Sequence, residues 1–100
     1  LLKKSSQGCD VRIFVHSGKI TCGTFVIPPG KRLGRISAHG SDEIYFVLRG
    51  VLKVNLPRLE ETVEVKAGEV FYMPAGMIHA PYNDGEEETE IFWVCAPEWP

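Results

Sequence analysis

Gly68-Glu69-Val70-Phe71-Tyr72-Met73-Pro74-Ala75-Gly76-Met77-Ile78-His79-Ala80-Pro81-Tyr82-Asn83 is the stretch whose reading decides the fold. It opens on a β-branched and aromatic run at 70–73, breaks at the Pro74-Ala75-Gly76 turn, and resumes as an extended run at 79–82. Gly68, Pro74 and Gly76 read as turn residues, and Asn83 as a polar side chain that fixes a loop by bonding nearby backbone. Working outward, the same rhythm fills the chain. Short runs at 11–15, 20–27, 43–48, 51–56, 62–65 and 90–95 are punctuated by Gly, Pro, Asn or Asp. No segment carries apolar residues at i, i+3, i+4 and i+7 over three turns, so the reading is all-β with few or no helices.

The faces of these runs say how the strands are used. In 43–48 apolar residues fall on both faces, which predicts one face lining a barrel interior and the other meeting a second layer or a second subunit, hence a homodimer. Leu52, Val54 and Leu56 alternate with Lys53 and Asn55, and Val63 and Val65 flank Glu64, so that hairpin has one wet face. His16 sits beside Ser17 and Gly18 at an expected hairpin turn. Residues 1–10 are polar and small, and predict a mobile arm ahead of a single domain over 11–100.

One hundred residues hold one core, because two would leave each half near the size at which folding needs a disulfide or a metal. The chain has no apolar run of about 20 residues, which excludes a transmembrane helix. A formal charge of −2 with mixed signs offers no basic stripe for a nucleic acid. Cys9, Cys22 and Cys95 are odd in number and widely spaced, which speaks against a disulfide framework and for a reducing, cytoplasmic compartment.

The deciding stretch fits the pattern G(x5)PxG(x2)H(x3)N at Gly68, Pro74, Gly76, His79 and Asn83, a chance event rarer than roughly one in a million per start site at ordinary residue usage. That pattern is the second motif of the cupins, and the chain resembles a small single-domain cupin. The resemblance covers residues 20–97 and implies a double-stranded β-helix, a jelly-roll barrel. The family's first motif, G(x5)HxH(x3–4)E(x6)G, is matched in its latter half by His39, Glu43 and Gly50, with Gly34 five residues before His39. Ser37 stands where the first histidine would be.

His39, Glu43 and His79 are two imidazoles and a carboxylate, the composition of a facial triad that holds a metal with positions left open. The resemblance implies a divalent metal ion, Fe, Mn, Ni or Zn, and a small polar substrate reaching it through the barrel mouth, with oxygenase, isomerase or lyase chemistry. A similar set, with a small residue at the first histidine position, occurs in cupin oxygenases of the phosphonate epoxidase kind. Arg35 shares a strand face with Ser37 and His39, where a guanidinium could clamp a carboxylate or phosphonate. Tyr45 shares the face of Glu43 and could orient a substrate through its hydroxyl, or belong to the core. Against the metal stands a barrel whose histidines are satisfied by each other, by Ser37 or by water. The alternative function is then a non-catalytic module for ligand sensing or homodimerisation inside a larger regulator or scaffold, as a centromere-protein family uses such a barrel.

Overall fold

A computed structural model describes residues 8–33 and 40–97 in full and 2–6 as backbone. Nine strands follow in order: β1 (Leu2–Ser6), β2 (Cys9–His16), β3 (Thr21–Ile27), β4 (Asp42–Arg49), β5 (Val51–Leu56), β6 (Glu61–Lys66), β7 (Val70–Met73), β8 (Ala80–Tyr82) and β9 (Thr89–Ala96). Among the described residues the helical content is a single 3-10 turn, Pro57–Leu59. None of their helices is long and apolar enough to cross a membrane.

Two sheets face each other, one in the order β1-β2-β3-β9-β4-β7 and one in the order β6-β5-β8. The strand pairs are antiparallel throughout. Alternation decides what lies between them. β3 turns Phe25 and Ile27 inward, β4 Tyr45 and Val47, β9 Ile91 and Trp93, and the opposing sheet answers with Leu52, Val54, Leu56 and Val65. Burial of these side chains, about 1.5–3 kcal/mol for each large aliphatic or aromatic one, drives the closure.

Within the stretch expected as an arm, Leu2–Ser6 form a strand: β1 pairs with β2 from Leu2 opposite Ile13 to Ser6 opposite Cys9. Polar residues that cannot build a core can still complete a backbone ladder, and β2 offers the hydrogen-bonding edge that composition does not reveal. The other strands lie where the alternation puts them, within a residue or two at each end.

Cross-strand neighbours on the inner face form two layers that matter for the site. One runs Thr21, Cys95, Glu43, Met73 across β3, β9, β4 and β7, and the next runs Gly23, Trp93, Tyr45, Phe71. The outer face of the same strands carries Cys22, Val94, Ile44 and Tyr72 in one row and Thr24, Phe92, Phe46 and Val70 in the next, eight positions without a charge. Cys22 therefore points away from the barrel interior and is partly exposed.

Candidate functional site

Glu43 and His79 meet across the space between the sheets. Glu43 sits at the start of β4 on the inward face, 7% exposed, and His79 immediately precedes β8 in the opposing sheet, 2% exposed. The local sequence explains the delivery of His79. Pro74 stops β7, Met77 N–H closes the turn onto the Pro74 carbonyl at 3.2 Å, and the Asp42 carboxylate accepts from the Ala75 N–H at 2.8 Å, tying the turn to β4 one residue from Glu43. Gly76 takes a φ of +91°, which a side chain would resist.

The Met77 carbonyl lies 3.0 Å from His79 Nδ1, and because a carbonyl only accepts, that nitrogen carries the proton. Nε2 is thereby turned onto Glu43 Oε1 at 3.0 Å. The ring is further held edge-on by Tyr45, with centroids 5.6 Å apart, and Tyr45 in turn by Phe25 at 5.3 Å. Burial, and then the Glu43 charge and Cys95, push the Tyr45 phenol well above its ordinary range. Burial likewise pushes the Cys95 thiol up, with the charge of Glu43 and a hydrogen bond to it adding in the same direction. Cys95 therefore remains a thiol and donates to Glu43.

Three further inward polar atoms, Thr21 Oγ1, Tyr45 Oη and Trp93 Nε1, are fully buried and have no hydrogen-bond partner among the described residues. None of the three was legible as a group in the sequence, because their juxtaposition depends on the β3-β9-β4 register. Trp93 is 4% exposed and belongs to the core cluster.

The expected metal ligands are thus brought together only in part. Glu43 and His79 are paired, whereas His39, and with it Ser37 and Arg35, lies outside the described residues. Among the described residues no three His, Cys, Asp or Glu side chains are placed to hold a metal ion. The pair itself fits one by its chemistry: an imidazole nitrogen aimed by a carbonyl hydrogen bond on its other nitrogen, facing a buried carboxylate oxygen, is the donor combination that Zn, Fe, Mn and Ni accept. Asn83, the last residue of the motif, does what its position suggests. Its Nδ2 donates to Ile27 O at 2.9 Å and Glu87 O at 2.7 Å, and its Oδ1 accepts from Gly85 N at 2.9 Å, so it is a loop clamp.

With this geometry in view, the comparisons with known proteins are decisive for the fold. The cupin domain model matches residues 23–95. The chain belongs to the cupin family. This cupin is 29% identical over 96 residues to an oxalate-binding protein of Thermotoga maritima, covering 94% of this chain and 69% of that protein. Its structure is similar to an RmlC-like cupin with a double-stranded β-helix fold from Methanocaldococcus jannaschii, with TM-score 0.83, 20% identity, and coverage of 98% and 88% of the two chains. The polyketide cyclase RemF of Streptomyces resistomycificus gives TM-score 0.82 at 19% identity over 97% of this chain and 72% of that one. These last two likenesses establish the jelly-roll barrel and leave the chemistry to the site.

Proposed function

We propose that this cupin binds a divalent metal ion inside the barrel through Glu43, His79 and His39, and there binds or converts a small polar organic molecule. The observation that carries the reading is the buried approach of His79 Nε2 to Glu43 Oε1 at 3.0 Å, fixed from behind by Met77 O. Two such groups aimed at one another inside a barrel serve little purpose in packing, and they are the nitrogen and oxygen donors a transition metal takes. When bound, the metal would supply a Lewis acid or a centre for oxygen chemistry with open positions. The chain's own residues do the rest: the Pro74–Gly76 turn and Asp42 hold His79 in place, Cys95 donates to Glu43, and Tyr45, itself backed by Phe25, packs edge-on against the imidazole. The oxalate-binding relative supports a small-molecule ligand for a barrel of this kind. Free thiols at Cys9, Cys22 and Cys95 suit a cytoplasmic setting.

The test is elemental analysis of tag-free protein prepared without chelators, beside His79→Ala and Glu43→Gln. Near-stoichiometric Fe, Mn, Ni or Zn in the wild type, lost in both variants, is the expected result, because two remaining ligands hold a divalent ion poorly. A wild type that stays metal-free after reconstitution refutes the reading.

A second reading, self-association through the outer face of the larger sheet, is favoured by the eight uncharged positions there, with Val70 and Tyr72 57% and 54% exposed. A second copy is the occupant we propose, since such a face meets its own uncharged counterpart without leaving a charge unpaired. Sedimentation should give a dimer for the wild type and a monomer for Tyr72→Lys combined with Val70→Lys; a wild-type monomer at tens of micromolar would dismiss it.

A further inference from the structure

Resting on the metal reading above, we infer that Cys95 is a positioning residue for the site: its thiol holds the Glu43 carboxylate in the orientation that faces His79, and so sets how tightly the pair takes a metal. Cys95 stands directly opposite Glu43 on the neighbouring strand, and both turn into the barrel, 1% and 7% exposed. The thiol hydrogen-bonds the carboxylate. Thr21 stands opposite Cys95 on its other side and Met73 opposite Glu43, so the bond is made inside one buried row of the larger sheet and not at a solvated rim.

Glu43 needs such a hold. The His79 ring is fixed by the Met77 carbonyl at 3.0 Å from Nδ1 and by the edge-on contact with Tyr45. Nothing within a glutamate side chain does the same for its oxygens, because the torsion that turns the carboxylate is broad and roughly two-fold, so its plane is set from outside. A thiol has a proton to give and keeps it at neutral pH, whereas a carboxylate only accepts, which fixes the direction of the bond. Glu43 and His79 are then held alike: each is a donor group oriented by a hydrogen bond to a second residue, and losing such a bond commonly costs about 10–100-fold in metal affinity. Cys95 is no ligand itself, since among the described residues no three His, Cys, Asp or Glu side chains are placed to hold a metal ion, the set of Cys95, Glu43 and His79 included.

The test separates the bond from the packing. Serine and alanine leave nearly the same gap in place of the thiol, but only serine keeps a donor, and valine fills the space without one. Zinc affinity of the tag-free full chain is read by competition with a chromophoric chelator. Cys95→Ala and Cys95→Val should each weaken zinc binding about tenfold, and Cys95→Ser should recover most of the loss. Equal affinity in all four proteins, or a loss in Cys95→Ser as large as in Cys95→Ala, overturns the inference. So does a sulfur-to-cobalt charge-transfer band in the cobalt-loaded wild type that Cys95→Ser abolishes, because Cys95 would then be a ligand. The infrared S–H stretch of the metal-free protein reads the bond without any metal. The Cys95 band, identified among the three thiols by its absence in Cys95→Ser, should lie below that of an unbonded thiol and rise in Glu43→Leu; a band that stays in place overturns the hold. A wild type that takes up neither zinc nor cobalt ends the metal reading and the affinity claim with it, while the S–H band still decides whether Cys95 holds Glu43. Far-UV circular dichroism checks that each variant is folded.

Discussion

Replacing Asn83 by alanine is expected to cost about 3 kcal/mol of stability while leaving the Glu43–His79 pair intact. Asn83 is 2% exposed and makes three hydrogen bonds, to Ile27 O, to Glu87 O and from Gly85 N. Each such bond contributes about 1 kcal/mol net, and an acceptor left buried without a partner costs about 1–3 kcal/mol in addition. Ile27 is fully buried at the end of β3, so its carbonyl is exposed to that penalty, whereas Glu87 and Gly85 lie on an exposed turn where water replaces the lost partner. The sum is about 3 kcal/mol out of the about 5–15 kcal/mol that holds an ordinary domain together. For a chain of this size that lowers Tm by roughly 12–24 °C. Thermal unfolding by far-UV circular dichroism, with a urea titration to confirm an unchanged slope, reads it directly. A fall in Tm under 3 °C would refute the clamp, and loss of metal from folded Asn83→Ala would move Asn83 from scaffold to site.

Two further outcomes follow from the backbone and from a buried thiol. Gly50 and Gly30 both have φ of +77°, but a Cβ on Gly50 would lie 2.5 Å from Glu88 O and one on Gly30 would meet nothing within 4 Å. Gly30→Ala should therefore cost about 1 kcal/mol from conformation alone, and Gly50→Ala at least about 2 kcal/mol more in a urea titration; equal costs would show that the contact yields. Burial chiefly, and the charge of Asp10 next, raise the pKa of Cys9 above its ordinary 9.0, with Lys31 opposing. A raised folded-state pKa stabilises below pH 9 and is lost as pH rises beyond it, by at most about 1.4 kcal/mol per unit, so the urea midpoint should drop above pH 9 and drop less in Cys9→Ala. Parallel curves for the two proteins would refute the assignment.

The β-runs were legible as short β-branched and aromatic stretches between Gly, Pro, Asn or Asp, with a clean apolar–polar alternation in β5, where Leu52, Val54 and Leu56 flank Lys53 and Asn55. β1 was not, since a polar strand at a sheet edge owes its place to the backbone of β2. In the site, His79 and Asn83 could be read from their spacing to Gly68, Pro74 and Gly76, because turn geometry needs those residues at those offsets. Glu43 followed from its distance to Gly50. Cys95, Trp93 and Thr21 could not be found that way: nothing local distinguishes them from ordinary inward strand residues, and only the register β3-β9-β4 sets them beside Glu43 and Tyr45. Trp93 shows the limit well, since nothing in the sequence around it announces a buried indole N–H without a partner among the described residues.

That interior also separates a ligand-binding barrel from one that only holds two copies together. Thr21 Oγ1, Tyr45 Oη and Trp93 Nε1 are buried with no hydrogen-bond partner among the described residues, and a buried polar group left without one costs about 1–3 kcal/mol. Valine and phenylalanine fill nearly the same volumes as threonine and tyrosine without that cost, so a barrel kept only as an assembly module would gain by the exchange. Thr21→Val with Tyr45→Phe should accordingly stabilise the protein by about 1–2 kcal/mol, a rise in Tm of roughly 5–15 °C. Calorimetric melting of the wild type and the double variant measures it. If the double variant melts lower than the wild type in the absence of ligand, the two hydroxyls are satisfied within the barrel and serve the fold. A higher melting point would mean that the fold gives up stability at these two positions, which a barrel kept only for packing has no reason to do.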